Sequence, residues 1–539
     1  MALSFKLNRS STGDNLIQVT SQLLSLLKTN VSFTTLKETL LSHPDYPSML
    51  SISESLNRWK VNSVGLQLSP DKLEELPTPF IAYFKGQQFV TVTKVSEEAI
   101  VYLDKNDQEQ MVSKEDFLKR WEEVVLLAEP GKNSGEANYK RIKRKETWHT
   151  LRIPLAFLGL LCLGWVQIGS LIVQQSPDLL YYSSIMLFQF AGMILTGLLI
   201  WYEYDQQNTL LQKVCSMGNK TNCQSVLSSN AAKVIGNISW SDIGFIYFTG
   251  GYLYLLITGT SFLPVITILN LIALPYIVFS VYYQARVARQ WCTFCLSVQA
   301  VLLLEFVAAL VTQQPVWQPM TSSVEPITIG ILSFFLPAAG WLFIKDSLYQ
   351  AKKGTDYRYQ LARFKNNGDV FAAMLRHQPA VARDPGDMGI RIGSPKTKNT
   401  LIKVCNPYCG PCAQAHPKIE ALIEENPDWQ VQIIFTATGD DEDRRTAPAA
   451  HMLAVAANNN EAQTRKALDD WYNAEEKNYK QIAAKYPMNG ELKLQKGKLK
   501  IMDNWCKDVG ITHTPTFFVN GYQLPNTYDI TDLKYITSP

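Results

Sequence analysis

Six apolar stretches occupy the middle of this 539-residue chain and constrain its fold more than any other feature. Each is close to the roughly 20 residues that a helix needs to cross a bilayer. Any one of them could instead be a buried core helix, but six in series with almost no ionisable residue inside predict a transmembrane bundle. Glu305 is the exception, and we expect it to face the bundle interior or a hydrated spot. The stretches cover residues 153–173, 183–201, 241–259, 262–283, 292–312 and 326–344.

The segment before this block has the pattern of a small α+β domain. Leu, Ile and Val recur at helical spacing over residues 15–60. Strand-like runs then follow at Phe80–Phe84, Phe89–Val95 and Ile100–Leu103. After the block, Thr400–Val404 is predicted to be a strand, and residues 441–507 are predicted to be mainly helical before a last strand at 516–519.

The predicted organisation is a multidomain membrane protein with an α+β N-terminal domain, an all-α transmembrane bundle and an α/β C-terminal domain. The net charge is only +3, from 51 basic and 48 acidic residues. No basic field therefore points to a nucleic-acid partner. The predicted boundaries are 1–130 for the first domain, 131–150 for a basic linker, 151–346 for the bundle, 347–395 for a connector and 396–539 for the last domain.

Nine cysteines narrow the possible chemistry, because six of them form close pairs and none precedes Cys162. A disulfide-dense secreted scaffold would be short and rich in cysteine throughout. Separated close pairs instead indicate redox or metal chemistry. Cys405 and Cys506 are predicted to be buried small residues, and a disulfide between them is the less favoured alternative.

The clearest pair is Cys409 and Cys412 in the run CNPYCGPC, which follows the strand at Leu401–Val404. A CxxC motif at a helix start places its first sulfur at the helix N-terminus, where the macrodipole and free N–H groups favour thiolate. Cys409 is therefore the predicted attacking thiol and Cys412 the buried resolving one. A zinc site is the alternative, but it needs two more ligands and His416 is the obvious local candidate.

About 100 residues later the run TPTFF contains Pro515, where a cis-proline facing the CxxC motif is expected. Together these features resemble the thioredoxin superfamily, with a helical insertion like that of DsbA-type periplasmic oxidoreductases. The resemblance implies an α/β thioredoxin-like fold over 396–539. It also implies that Pro515 helps to position the substrate.

A second CxxC pair, Cys292 and Cys295, stands at the start of the fifth apolar stretch, so both thiols lie at one membrane face. Upstream, Cys215 and Cys223 flank a seven-residue polar loop between the second and third stretches. Four cysteines on one side of a bundle make a thiol–disulfide relay possible. Three features occur together over roughly 180–315: this loop pair, the segment CQSVLSS at Cys223–Ser229, and a CxxC motif leading a helix. Together they resemble the vitamin K epoxide reductase family.

That resemblance implies a role for each residue. The CxxC pair is expected to be the active site beside a bound quinone, either menaquinone or ubiquinone, with no metal. Cys215 and Cys223 are expected to form the shuttle pair. Ser229 matches the family's functional serine or threonine, six residues after the second loop cysteine. Gln299 stands where the animal enzymes have an aromatic residue, which favours quinone reduction over epoxide reduction.

The first domain resembles the papain-like peptidase domains of bacteriocin-exporting transporters. The similarity lies in the run PTPFIAYF at Pro77–Phe84, the run QFVTV at Gln88–Val92, and Asp104. Those domains use a cysteine and a histidine. This chain has no cysteine before Cys162, and Gln88 replaces the histidine, so we expect a non-catalytic binding module or structural appendage.

The number of apolar stretches before each cysteine site is even, which places all three sites and the N-terminal domain on one side of the membrane. Lys and Arg also gather on that side, and the positive-inside rule would make it cytoplasmic. Disulfide chemistry favours the extracytoplasmic side of an inner or plasma membrane. We therefore predict that the redox sites lie on the extracytoplasmic side. No signal-peptide core precedes the N-terminal domain. Either that domain is translocated, or the first stretch does not span and the domain stays inside.

The sequence thus predicts an enzyme that moves electrons from the thiols of extracytoplasmic client proteins to a membrane quinone, in support of disulfide bond formation. The alternative is a peptide-binding export accessory whose first domain captures a leader or cargo. Quinone reduction that depends on thiols would favour the enzyme.

Overall fold

The structure is a computed structural model that describes residues 12–536 apart from 87, 105–106, 205–210, 212–213, 216–222, 228, 262, 314–324, 459 and 489. The chain divides into two compact units. The first comprises Met1–Leu40 and Tyr46–Tyr357, and the second comprises Leu41–Asp45 and Arg358–Pro539.

The N-terminal region combines helices with an antiparallel sheet. The sheet has the strand order β1-β6-β2-β3-β4-β5. Alternate apolar side chains from its central strands meet Phe117 and Trp121 in a small core. The predicted strands at 80–84, 89–95 and 100–103 are confirmed as β2, β3 and β4. The elements are α1 Thr12–Leu26, α2 Phe33–Leu41, α3 Met49–Arg58, β1 Val61–Gln67, β2 Phe80–Phe84, β3 Gln88–Val95, β4 Ala99–Leu103, β5 Glu109–Ser113, α4 Lys114–Arg120 and β6 Trp121–Pro130.

The apolar block forms long helices that pack around one core. Gly192 lets α6 approach α8, because a Cβ atom at that position would overlap the Phe248 ring. A short hairpin, β7 Lys233–Ile235 with β8 Ile238–Ser239, precedes α8, and a π-helical turn at Tyr283–Ala288 follows α9. The helices are α5 Tyr139–Val173, α6 Leu179–Tyr204, α7 Cys223–Leu227, α8 Trp240–Thr258, α9 Leu263–Tyr282, α10 Thr293–Val311 and α11 Glu325–Lys365.

Within the described ranges, five helices are long and apolar enough to cross a membrane, namely α5, α6, α9 (with the π-helical turn), α10 and α11. The third predicted stretch does form a helix, α8, but this helix is not among the five. It carries Asp242 and several tyrosines and glycines, which make it less apolar than its neighbours. The sixth span therefore stays a prediction.

The second unit is built on a mixed sheet with the order β13-β12-β10-β11-β9. The central strand β10 runs parallel to β11 and antiparallel to β12. The predicted strands at 400–404 and 516–519 and the mainly helical segment 441–507 are confirmed. The elements are α12 Gly368–Arg376, β9 Ile390–Ile392, β10 Asn399–Cys405, α13 Gly410–Glu425, β11 Trp429–Phe435, α14 Thr446–Ala457, α15 Glu461–Tyr472, α16 Tyr479–Lys485, α17 Glu491–Asp508, β12 Thr516–Val519 and β13 Tyr522–Gln523.

Candidate functional site

The C-terminal thiol pair lies where the central strand β10 passes into α13. Cys409 is the N-cap of α13, and its Sγ accepts the backbone N–H of Cys412 at 3.3 Å. Pro411 occupies the first helical turn, where its missing N–H group costs nothing. Cys409 is partly exposed, whereas Cys412 is fully buried. The arrangement suits Cys409 for attack and Cys412 for resolution.

The segment before β12 reaches the same thiol. The Thr514–Pro515 peptide bond is cis, as expected from the sequence. The Cys409 thiol donates a hydrogen bond to the Thr514 carbonyl oxygen at 3.2 Å. The role of Pro515 in positioning a substrate stays a prediction.

A buried lysine lies beneath this pair, and the sequence reasoning missed it. Lys403 is fully buried in β10, and its Nζ donates to the Cys412 carbonyl oxygen at 3.3 Å. The same ammonium lies 4.3 Å from the centre of the Tyr472 ring. Burial raises the pKa of the Cys412 thiol. Burial also raises the pKa of the Cys405 thiol, on which the positive charge of Lys403 acts in the opposite direction. The signal of Lys403 in the sequence was a lysine within an apolar strand.

His416 follows Cys412 by one helical turn and is also buried. Its Nε2 lies 2.8 Å from Asp469 Oδ1. Burial, and then the positive charge of Lys403, lower the pKa of His416 to about 4 although Asp469 acts in the opposite direction. Across the part of the chain that the structure describes, no group of three or more His, Cys, Asp or Glu residues could hold a metal ion.

The remaining cysteines of this unit, Cys405 and Cys506, are buried and unpaired. The Cys405 sulfur lies 3.2 Å from the Tyr472 hydroxyl. Burial raises the pKa of both thiols, to about 12 for Cys506. These thiols have the properties of buried packing residues, as the sequence predicts.

Four of the five bundle cysteines meet at one hydrophobic core, with Cys215, Cys223 and Cys292 buried in it and Cys295 packed against it. Cys215 and Cys223 form a disulfide, while the predicted polar loop between them (216–222) lies outside the described residues. Cys292 is the N-cap of α10, and its Sγ accepts the Cys295 N–H at 3.3 Å. Cys292 is fully buried, and Cys295 is partly exposed.

An apolar cavity of about 680 Å³ lies beside this pair, between α6, α8, α9 and α10. Cys295 and Ser229 both line it, so the structure brings these two predicted site residues together. Cys292 is not part of the wall. Ser229 is anchored through its hydroxyl, which donates to the Val226 carbonyl oxygen at 2.7 Å.

Gln299 does not line this cavity itself but contacts a residue that does. Its Nε2 donates to the hydroxyl of Ser280, which lines the cavity. Gln284 Nε2 donates to the same hydroxyl at 3.2 Å, while Gln284 Oε1 accepts the Cys292 N–H at 2.8 Å. Ser280 and Gln284 were not predicted from the sequence. Their hydrogen bonds connect the CxxC backbone to the cavity wall.

In the N-terminal region the residues quoted for the peptidase resemblance lie near α1. Asn15 Oδ1 accepts the N–H of Phe89, the residue after Gln88, at 2.7 Å. Gln22 Nε2 donates to the Asp104 carbonyl oxygen at 2.8 Å. The side chains that α1 presents here are amides, which are not nucleophiles.

Comparison with known proteins gives the same three regions in the same order. Residues 8–133 match the Peptidase C39 family, residues 183–310 match the vitamin K epoxide reductase family, and residues 386–536 match a thioredoxin family. No curated protein matches the chain. The three family resemblances expected from the sequence are confirmed.

Solved structures resemble single parts of the chain. A periplasmic thioredoxin-like protein from Salmonella enterica serovar Typhimurium is 18% identical, with a TM-score of 0.24, covering 29% of this chain and 93% of that one. BdbD from Bacillus subtilis is 14% identical (TM-score 0.23; 29% and 92% covered). The peptidase domain of Streptococcus ComA is 16% identical (TM-score 0.20; 22% and 92% covered).

The family matches and the paired cysteines support a thiol–disulfide oxidoreductase. The apolar helices and the vitamin K epoxide reductase match support a multi-pass membrane protein.

Proposed function

We propose that the protein is a membrane enzyme that passes electrons from protein thiols to a quinone and so supports disulfide bond formation. The observation that carries this proposal is the position of Cys295. Its thiol lies in the wall of a large apolar cavity, next to the core that holds the Cys215–Cys223 disulfide. The cavity that would hold the electron acceptor is therefore in contact with one cysteine of the thiol pair.

The cavity fits a quinone. Its volume lies within the range of about 300–1,000 Å³ that is usual for small-molecule sites. The walls are mainly apolar, which suits a ring and an isoprenoid tail, and the Ser280 hydroxyl lies in the wall. The Ser229 hydroxyl would bind a quinone carbonyl oxygen by turning its hydrogen away from the Val226 carbonyl oxygen. When bound, menaquinone or ubiquinone would supply a two-electron acceptor.

The thiol pairs would act in sequence. A client thiolate attacks the oxidised pair at Cys409, and a second client thiol completes the client disulfide and leaves Cys409 and Cys412 reduced. The Cys409 thiolate then attacks the Cys215–Cys223 disulfide, and the reduced loop pair in turn reduces the Cys292–Cys295 disulfide. Each exchange moves two electrons.

Net flow toward the quinone follows from the potentials. The CGPC motif is that of thioredoxin, whose pair has a potential of about −270 mV, so the reduced pair gives up electrons readily. Such a pair is a weak oxidant of clients unless its electrons are drained continually. We therefore propose that the quinone drives client oxidation.

The domain boundaries given above and the extracytoplasmic position of the redox sites belong to the same proposal. Reporter fusions after residues 130, 230 and 395 would test the topology. An extracytoplasmic signal is expected at 230 and at 395. A cytoplasmic signal at either would contradict the proposed location.

The direct test uses purified full-length protein with a dithiol and an oxidised quinone. Wild type should reduce the quinone, and Cys292→Ala or Cys295→Ala should abolish turnover. Cys162→Ala, which changes an exposed cysteine outside the pairs, is the matched control. Retained turnover in Cys295→Ala would exclude Cys295 as the donor.

The match of residues 8–133 to the Peptidase C39 family favours a second function, in which a non-catalytic first domain binds a leader or cargo peptide. Peptide binding without thiol-dependent quinone reduction would support that alternative in place of the enzyme. Quinone turnover without the first domain would show that the domain is not needed for catalysis.

A further inference from the structure

A half-buried carboxyl group stands behind the cavity wall at its cysteine end. Glu203, in the last turn of α6, accepts a hydrogen bond from the Ser241 hydroxyl at 2.7 Å. The Ser239 hydroxyl donates to its other carboxyl oxygen at 3.3 Å. Ser241 itself lines the cavity together with Cys295. One hydroxyl group therefore separates the Glu203 carboxyl from the space beside the reactive thiol.

The direction of this hydrogen bond depends on the Glu203 proton. A carboxylate can only accept, so Ser241 then points its hydrogen at Glu203. A protonated Glu203 can donate to the Ser241 oxygen, and the Ser241 hydrogen is then free to point into the cavity. Glu203 and Ser241 together can therefore present a proton donor to a ligand next to Cys295.

We propose that Glu203, acting through Ser241, supplies one of the protons that quinone reduction requires. This inference rests on the proposed function. Cys292 and Cys295 lose two electrons and two protons and form their S–S bond, and two electrons and two protons pass to the quinone and give the quinol. One of these protons leaves Ser241 for the nearest quinone oxygen, and Ser241 takes the Glu203 proton. A proton released by the thiol pair, or one from water at the end of α6, restores Glu203.

Charged groups from several elements face this carboxyl. Asp242 on α8 and Lys345 on α11 act on its charge with opposite signs, and Lys345 is paired with Asp242. The Cys295 thiol on α10 also interacts with it, as does Tyr204 beside it on α6. Glu203 is half-buried in the last turn of α6, so its carboxyl can exchange protons with water as well as with Ser241.

The test compares Glu203→Gln with wild type in full-length protein, using a dithiol and a short-chain quinone over a range of pH. Gln cannot give up a proton, so kcat should fall by roughly 10²-fold while KM for the quinone stays within about twofold. The ratio of wild-type to variant kcat should be largest at low pH and fall as Glu203 loses its proton. Glu203→Asp should recover part of the rate and of the pH dependence.

A second readout needs no turnover. Infrared difference spectra between low and high pH contain protonated-carboxyl bands from all titrating Asp and Glu residues of the quinone-free protein. Subtracting the Glu203→Gln spectrum from the wild-type spectrum should leave one such band, which belongs to Glu203. Asp346→Asn, which changes an exposed carboxylate next to Lys345 in the middle of α11, should leave the Glu203 band and the rate unchanged. A kcat ratio that does not vary with pH, or wild-type and Glu203→Gln spectra that do not differ by a carboxyl band, would overturn the inference. An inactive wild type would instead overturn the proposed function, and the infrared result would still report on Glu203.

Discussion

Acid should destabilise the C-terminal domain through one buried imidazole. His416 has a pKa of about 4 in the folded protein, because burial and the Lys403 ammonium disfavour its charged form. An unfolded histidine titrates near 6.5. Between these values the unfolded state binds a proton that the folded state does not, so the free energy of unfolding falls as the pH falls.

The size of the effect follows from the difference between the two pKa values. A difference of about 2.5 units at 1.36 kcal/mol per unit gives about 3 kcal/mol, lost at about 1.4 kcal/mol per pH unit between pH 6.5 and 4. Above pH 6.5 this contribution to the free energy of unfolding is fully present. His416→Gln removes the titrating group and can still hydrogen-bond Asp469, so its stability should fall less steeply over this window.

Hydrogen–deuterium exchange of the full-length protein, read from peptides of β10 and α13, would give opening free energies at each pH. Wild type and His416→Gln are compared at the same pH, so that intrinsic exchange rates and other titrating groups cancel. His513→Gln, which changes an exposed histidine of the same domain, should keep the wild-type slope. Equal slopes for wild type and His416→Gln would refute the reasoning.

Three further predictions follow from the other sites. Ser229→Ala should lower quinone turnover by about tenfold through loss of a hydrogen bond to the reacting oxygen, and an unchanged rate in the same assay would show that its family match is incidental. Single Ser replacements of Cys215 or Cys223 should trap mixed disulfides with Cys292 and with Cys409, and mass-spectrometric mapping that finds neither would exclude this relay. Lys403→Met should leave the opening free energy of the C-terminal domain unchanged or raise it by about 1–4 kcal/mol, because removing the ammonium removes its desolvation cost. A clear loss of stability in the same exchange experiment would mean that the contacts of Lys403 outweigh that cost.

Much of this molecule could be predicted because its chemistry is local in the sequence. A CxxC motif and the helix that it begins occupy neighbouring positions, so the partial exposure of Cys409 and the burial of Cys412 could be predicted from a few residues. Strands such as Phe80–Phe84 and Thr516–Val519 are short runs rich in aromatic and β-branched residues, which is also a local signal. The stretch 241–259 does form a helix, α8, but its tyrosines, glycines and Asp242 make it less apolar than the five helices that meet the criteria for a span.

Contacts between distant elements were not predictable in this way. Ser241 lies 38 residues from Glu203, and Asp469 lies 53 residues from His416. Each contact depends on which helices pack together and at which rotation, and a single sequence records neither. Gln299 shows the same limit, since its role is set by Ser280, 19 residues away on α9.

The two CxxC sites share a local geometry and differ in what surrounds it. At both, the first cysteine is the N-cap and its sulfur accepts the N–H of the second cysteine at 3.3 Å. At the C-terminal site the first cysteine is the accessible one, whereas in the bundle the first is buried and the second lines the cavity. A pair that exchanges with the thiols of separate client proteins needs an accessible first cysteine. A pair that reduces a ligand in the bundle needs its second cysteine against that ligand, so the reversed exposure matches the two proposed roles.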